Sequence, residues 1–241
     1  MDEVEYVAKA DIEAAADRLR AEYARHCGGC VQFPTPVDEI IESHLDLNLH
    51  YTDLKGRCGG VEVRGAICVG EMTIWIDESL EPDSHPEQEG VQRFTAAHEA
   101  GHWMLHRKHL PVTDAPGMDG GPSSSSVNWS VSHGRRYNRI EHQANIFAGA
   151  LLMPTDAVMR HWRRMFGHDR MVDASEEFRA LGGGCGDFEP VVGPAEKLAA
   201  PFKVSGFAMQ IRLKRMNLLR LDAPTRPNTF VVQALSAVAA Q

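Results

Sequence analysis

The sequence predicts an α+β domain, a small antiparallel or mixed sheet packed on helices, followed by a C-terminal helical region. Three observations carry that expectation. Residues 47–76 break into short apolar runs divided by turn residues. The stretches 8–26, 93–106 and 138–154 instead carry helical spacing of apolar residues. With 241 residues, 43% of them hydrophobic, the chain has room for one sizeable core and a small appendage. The expected division is an N-terminal helix over 1–34, a principal domain over 35–180 and a C-terminal helical region with a tail over 190–241.

Residues 8–26 place Ala15, Leu19 and Tyr23 on one helical face, and Gly28-Gly29 ends the helix. Pro34 and Pro36 introduce a second helix from Val37 to about His44. Four short strands follow: Leu47–Tyr51, Gly60–Val63, Ala66–Val69 and Met72–Ile76. Asp77 to Gly90 is acidic, contains Pro82 and Pro86, and reads as a loop.

The next helix, Arg93–His106, spaces Phe94, Ala97, His98, Gly101, Met104 and Leu105 as a buried stripe. Gly101 costs about 1 kcal/mol of helix propensity relative to Ala, which points to another backbone passing close by. Lys108 to Tyr137 is rich in Pro, Gly and Ser and forms an insert over 108–137, read either as a substrate-binding lid or as passive chain. Asn138–Pro154 carries Ile140, Ala144, Phe147, Ala148 and Leu151 on one helical face. Thr155–Phe166 is a further helix, with Trp162 on its apolar side and Arg160, Arg163 and Arg164 exposed.

Chemistry concentrates in His98-Glu99-Ala100-Gly101-His102. On a helix, residues four apart lie on one face, so both imidazoles can reach a single ion. Glu99 stands about 100° around the helix from His98, where it can address a water at that ion. Neutral imidazoles suit zinc. The pattern that would supply a third histidine further along the same helix fails, because Leu105 and Lys108 occupy the positions it needs. A carboxylate from a second helix is the other common solution. Glu141 is the candidate, with Asn145 one turn on to orient Glu141 or an imidazole. His133, Tyr137 and His142 are candidate donors to a developing oxyanion.

These blocks, Phe94-Thr95-Ala96-Ala97-His98-Glu99-Ala100-Gly101-His102 and Glu141 through Ala144-Asn145-Ile146-Phe147-Ala148 to Leu151-Leu152-Met153-Pro154, resemble the ImmA/IrrE metallopeptidases. The resemblance covers roughly residues 35–160. It implies a zincin-like fold and a gluzincin-like site holding one Zn²⁺ per chain, with His98, His102 and Glu141 as ligands and Glu99 as catalytic base. It further implies hydrolysis of a peptide bond in a partner protein, usually a DNA-binding transcriptional repressor in known members. The 194–220 segment resembles the helix-turn-helix-like tail of the same family. The chain departs from the family in the long insert between the two helices.

Net charge of −8 argues against general affinity for nucleic acid. The basic cluster of Lys197, Lys203, Arg212, Lys214, Arg215 and Arg220 leaves DNA docking open, with a solvated packing tail as the preferred reading. The acidic N-terminus lacks the apolar stretch of a secretory signal, and no apolar run reaches membrane-spanning length. Five cysteines, an odd number without a disulfide pattern, fit a reducing compartment. Cys27 and Cys30 read as reduced thiols rather than a second zinc site. The expected location is cytoplasmic. The alternative function is a non-catalytic regulatory module on the same metal-stabilised scaffold, binding a repressor or DNA.

Overall fold

The computed structural model describes residues 6–29, 33–60, 62–110, 134–183 and 189–221, without the side chains of 134–138. Helix α1 (Lys9–His26) leads to α2 (Val37–Glu39), which opens into a π-pitched turn over Ile40–His44. Strands β1 (Asn48–Thr52), β2 (Gly65–Cys68) and β3 (Thr73–Asp77) follow, with the short helix α3 (Leu54–Arg57) between β1 and β2. Helices α4 (Glu89–His106), α5 (Gly134–Leu152) and α6 (Thr155–Phe166) come next, and α5 packs against both α4 and α1. The C-terminal part comprises β4 (Val172–Asp173), α7 (Ser175–Ala180), α8 (Gly193–Ala199), α9 (Gly206–Arg215) and β5 (Leu219–Arg220). The molecule is α+β, helix-rich with small sheets.

The principal sheet is mixed, in the order β1-β3-β2. β1 runs parallel to β3 with Leu49 opposite Ile74, whereas β2 runs antiparallel with Gly65 opposite Ile76. Side chains alternate between faces of a strand. Leu49, Tyr51, Ile74, Ile76, Gly65 and Ile67 therefore share one face, and α4 packs on it. Ile74 and Ile76 are fully buried there. Residues 62 and 63, expected to be strand, are irregular; Gly59 and Gly60 adopt positive φ and Asp53 caps α3 instead. Asp77 accepts backbone hydrogen bonds from Leu54, Lys55 and Ser79, which fastens the end of β3 to α3.

The buried stripe of α4 differs from the expected one. Phe94, Met104 and Leu105 are only partly buried, while Ala96, Ala97, Ala100, Glu99, His102 and His106 are buried. The helix lies between the sheet on one side and α5 on the other, and such tight quarters favour small residues. Gly101 is the closest approach. A Cβ there would sit 3.3 Å from the backbone of Ala144 and 3.2 Å from the Phe147 ring, so the expected passing backbone is that of α5.

The apolar faces expected of α1 and α5 are buried. Trp162 of α6 is fully buried, and its indole donates to the Arg170 carbonyl. Most of the basic C-terminal cluster is engaged within the chain. Lys203 pairs with Glu89, Lys214 with Glu189, Arg220 with Asp173, and Arg212 is buried against Glu13. No described helix is long and apolar enough to cross a membrane.

Candidate metal centre

The site forms where α4 crosses α5. Helical spacing stacks His98, His102 and His106 along one side of α4, and α5 presents Glu141, Gln143 and Asn145 opposite them. His98 Nε2 lies 3.0 Å from Glu141 Oε2, and His102 Nε2 lies 3.1 Å from Glu141 Oε1. The two Nε2 atoms are 3.0 Å apart. His98, His102 and Glu141 form the one group among the described residues whose side chains could together hold a metal ion.

What stands behind each ring defines which nitrogen faces inward. His98 Nδ1 is 3.2 Å from Asn145 Oδ1, an acceptor, so Nδ1 carries the hydrogen and Nε2 presents its lone pair. His102 Nδ1 is 3.1 Å from His106 Nδ1, and His106 Nε2 is 2.8 Å from Gln143 Oε1. Two imidazole nitrogens and a carboxylate thus converge on one small volume, and wherever both nitrogens present lone pairs they face the carboxylate directly. Such an arrangement repels itself unless an electrophile shares it.

The donor set fits a zinc-type ion. Two imidazole nitrogens and one carboxylate are a known catalytic combination, and a tetrahedral ion with bonds of about 2.0–2.2 Å spaces its ligands roughly 3.3–3.6 Å apart. The observed 3.0–3.1 Å separations lie within a few tenths of an ångström of that.

The electrostatics point the same way. Burial works against charge on His98, yet the hydrogen bond that its charged ring donates to Glu141 and the negative charges of Glu99 and Glu141 raise its pKa overall. Charges that attract a proton to an imidazole attract a divalent cation to the same lone pair. Burial also opposes charge on Glu141, but the His102 and His98 rings, which donate to it when their Nε2 atoms are protonated, hold its carboxyl far below the usual range. Glu99 shows the opposite shift. Burial raises its pKa, against the lowering influence of His98 and His102. It is 6% exposed and sits beneath β2, where a Cβ on Gly65 would lie 2.9 Å from its Oε1. Burial lowers His106 to about 4, so this imidazole is neutral at ordinary pH.

Of the residues named from sequence, His98, Glu99, His102, Glu141 and Asn145 come together here, and Asn145 contacts the His98 imidazole. His142 is exposed on α5, outside the metal-holding group. His133 lies outside the described residues, as does the side chain of Tyr137. Cys27 is exposed and Cys58 buried, and neither belongs to a metal-holding group among the described residues; Cys30 lies outside them. Sequence reasoning missed His106 and Gln143. The signal for His106 was present, a third histidine at four-residue spacing, whereas nothing local marks Gln143.

Beside Asn145 opens a cavity of about 370 Å³ between α4, α5 and α9. Val91, Phe94, Met153, Phe207 and Ile211 give it apolar walls, and Arg64, just before β2, stands at its border. Thr95, one turn before Glu99, and Asn145 belong to both the cavity and the surroundings of the site.

No curated protein matches the sequence at a significant level. The model of a peptidase family, M78, described as the IrrE N-terminal-like domain, matches residues 82–214. That match takes in α4, α5 and the C-terminal helices through most of α9, more than half of the chain. With two facing helices carrying His98, Glu99, His102 and Glu141 inside the matched region, the chain belongs to the M78 peptidase family, the ImmA/IrrE metallopeptidases.

Proposed function

We propose that the protein is a zinc-dependent endopeptidase with a zincin-like fold, in which His98, His102 and Glu141 hold the ion and Glu99 is the catalytic base. The observation that carries this reading is the convergence of two imidazole nitrogens and a carboxylate beside a buried glutamate that is not one of the three. When bound, the ion supplies Lewis acidity, acidifying water and polarising a carbonyl.

The remaining work belongs to the protein. Glu99 is raised in pKa by burial and therefore holds a proton more readily than an exposed carboxylate. It takes the proton of the attacking water and gives it to the departing amine. Gly65 leaves the space above Glu99 that a side chain would fill. Asn145 fixes the ring of His98.

β2 is an edge strand, hydrogen-bonded to β3 on one side. An extended peptide can add to that edge, its backbone pairing with β2 and alternate side chains turning toward the cavity. The apolar walls suit a substrate with a large apolar residue near the scissile bond. A DNA-binding repressor as the substrate, and a cytoplasmic site of action, rest on analogy within the family. The engaged C-terminal charges favour packing over DNA contact for that region.

The test is a peptide-library digest with zinc-loaded wild type and Glu99→Gln. Wild type cleaves, while Glu99→Gln loses about 10²–10⁴-fold in rate and keeps its metal. Equal cleavage by both removes Glu99 from the chemistry. Metal retention without cleavage of any peptide by wild type favours the regulatory binding module.

A further inference from the structure

His106 is an ionisable residue buried at the site that the peptidase chemistry does not use. It is 1% exposed, and Gln143, its partner, is 3% exposed. Gln143 Nε2 has no hydrogen-bond partner among the described residues. A buried amide nitrogen left unpaired calls for an explanation.

The orientation of that amide decides the order of protons along the row. A contact between two ring nitrogens needs one donor and one acceptor, and a neutral imidazole carries a single N–H. With Gln143 Oε1 facing His106, Nε2 of His106 carries the hydrogen and donates it. Nδ1 of His106 is then bare and accepts from Nδ1–H of His102. His102 is left with a bare Nε2, turned toward His98 and Glu141. Turning the Gln143 amide over reverses every step. Its nitrogen would donate to His106 Nε2, His106 would donate from Nδ1, and His102 would carry its hydrogen on Nε2, where it blocks a cation. Either orientation leaves one polar atom of Gln143 unpaired, so Gln143 alone does not prefer one state. What selects the order is a cation on His102.

We infer that His106 and Gln143 form a proton-ordered relay that a cation on His102 locks into one order and that then holds the metal-binding tautomer of His102 in place, making both positioning residues of the metal centre. This rests on the metal-site reading above. It also distinguishes the two histidines: His98 is backed by one amide oxygen, whereas His102 is backed by a second imidazole and only then by an amide. Backing partners of metal-bound histidines typically change metal affinity by about 10–100-fold.

The experiment uses the full chain and zinc alone. Zinc affinity is measured by competition with a chelating indicator for wild type, Gln143→Glu, Gln143→Met and His106→Leu. Ring tautomers are read in zinc-loaded wild type by long-range ¹H–¹⁵N correlation. Glu keeps an acceptor at position 143 and should bind zinc at least as tightly as wild type. Gln143→Met and His106→Leu remove the relay and should bind about 10–100-fold more weakly. The spectra should place the hydrogen of His106 on Nε2 and that of His102 on Nδ1. A hydrogen on Nδ1 of His106, or wild-type affinity in Gln143→Met, would overturn the relay while leaving the metal site standing. Wild type that takes up no zinc would overturn both.

Discussion

His98 and His102 are one turn apart on α4 and aim the same nitrogen at the same carboxylate, yet they are held from behind in different ways. Asn145 meets His98 directly from α5. His102 is reached through His106, a residue of its own helix, and only the end of the row, Gln143, belongs to α5. The difference follows from position. Asn145 lies one turn beyond Glu141 on α5, so a single step brings an amide to His98. The four-residue spacing of α4 puts another imidazole behind His102 before α5 can reach it. On the proposed reading the metal centre has a short, direct support and a longer one that depends on the order of its protons.

The largest effect should come from the point that serves both supports. Gly101→Val would drive a side chain into Ala144 and Phe147, where there is no room for a Cβ without movement. A cost of about 3 kcal/mol or more is expected, with loss of zinc, since α5 must withdraw and carry Glu141, Gln143 and Asn145 with it. Chemical denaturation and metal content together would check this. Unchanged stability would mean that the helices do not approach as closely as described.

Asn145→Ala sharpens the comparison. It removes the direct support of His98 and should weaken zinc binding by about 10-fold or more, at little cost in stability. Adding the loss of Gln143 should then act on the other histidine. If the double variant is no weaker than the stronger single one, the two supports are not separate.

Gly149→Leu probes the cleft one turn beyond Asn145. Gly149 lines the cavity, and a Cβ there meets only Met153, at 3.8 Å. Filling the cavity should reduce kcat/KM for peptides with a large apolar residue near the scissile bond by about 10-fold, with zinc affinity unchanged. Equal turnover of such peptides by both proteins would place their side chains elsewhere.

The smallest effect belongs to a carboxylate outside both supports. Burial raises the pKa of Asp77, but the Ser79 hydroxyl and the amides of Ser79, Lys55 and Leu54 outweigh it and lower the pKa overall. A carboxylate lowered in the folded state stabilises the protein above its unfolded pKa, and the benefit disappears as pH falls through the folded value. Asp77→Asn should therefore cost about 1 kcal/mol near neutral pH and progressively less below about pH 4. Thermal unfolding across that range would reveal it; a gap that widens on acidification would contradict the assigned hydrogen bonds.

Much of this was legible in the sequence where the signal is local. The spacing of His98, Glu99 and His102 is a property of one helix, and the apolar face of α5 follows from its own periodicity. Glu141 and Asn145 could be proposed because they sit on the next strongly patterned helix. The buried face of α4 could not be read in the same way. Phe94, Met104 and Leu105 are the more hydrophobic residues, but a helix enclosed on two sides buries its alanines and glycine and leaves the large residues at the margins. Gly60–Val63 has the composition of a strand, yet Gly59 and Gly60 adopt positive φ and residues 62 and 63 are irregular. The His106–Gln143 contact spans 37 positions and uses a glutamine with no distinguishing neighbours, so only the packing of α5 on α4 discloses it.

The central claim is that His98, His102 and Glu141 are a metal centre rather than a buried ion pair. Elemental mass spectrometry of wild type and Glu141→Ala, purified without chelator, tests it most directly. About one zinc per wild-type chain, with marked loss from Glu141→Ala, is the predicted result. Wild type that holds no metal even after zinc is restored would contradict it, leaving a protonated His98 paired with Glu141 as the better description.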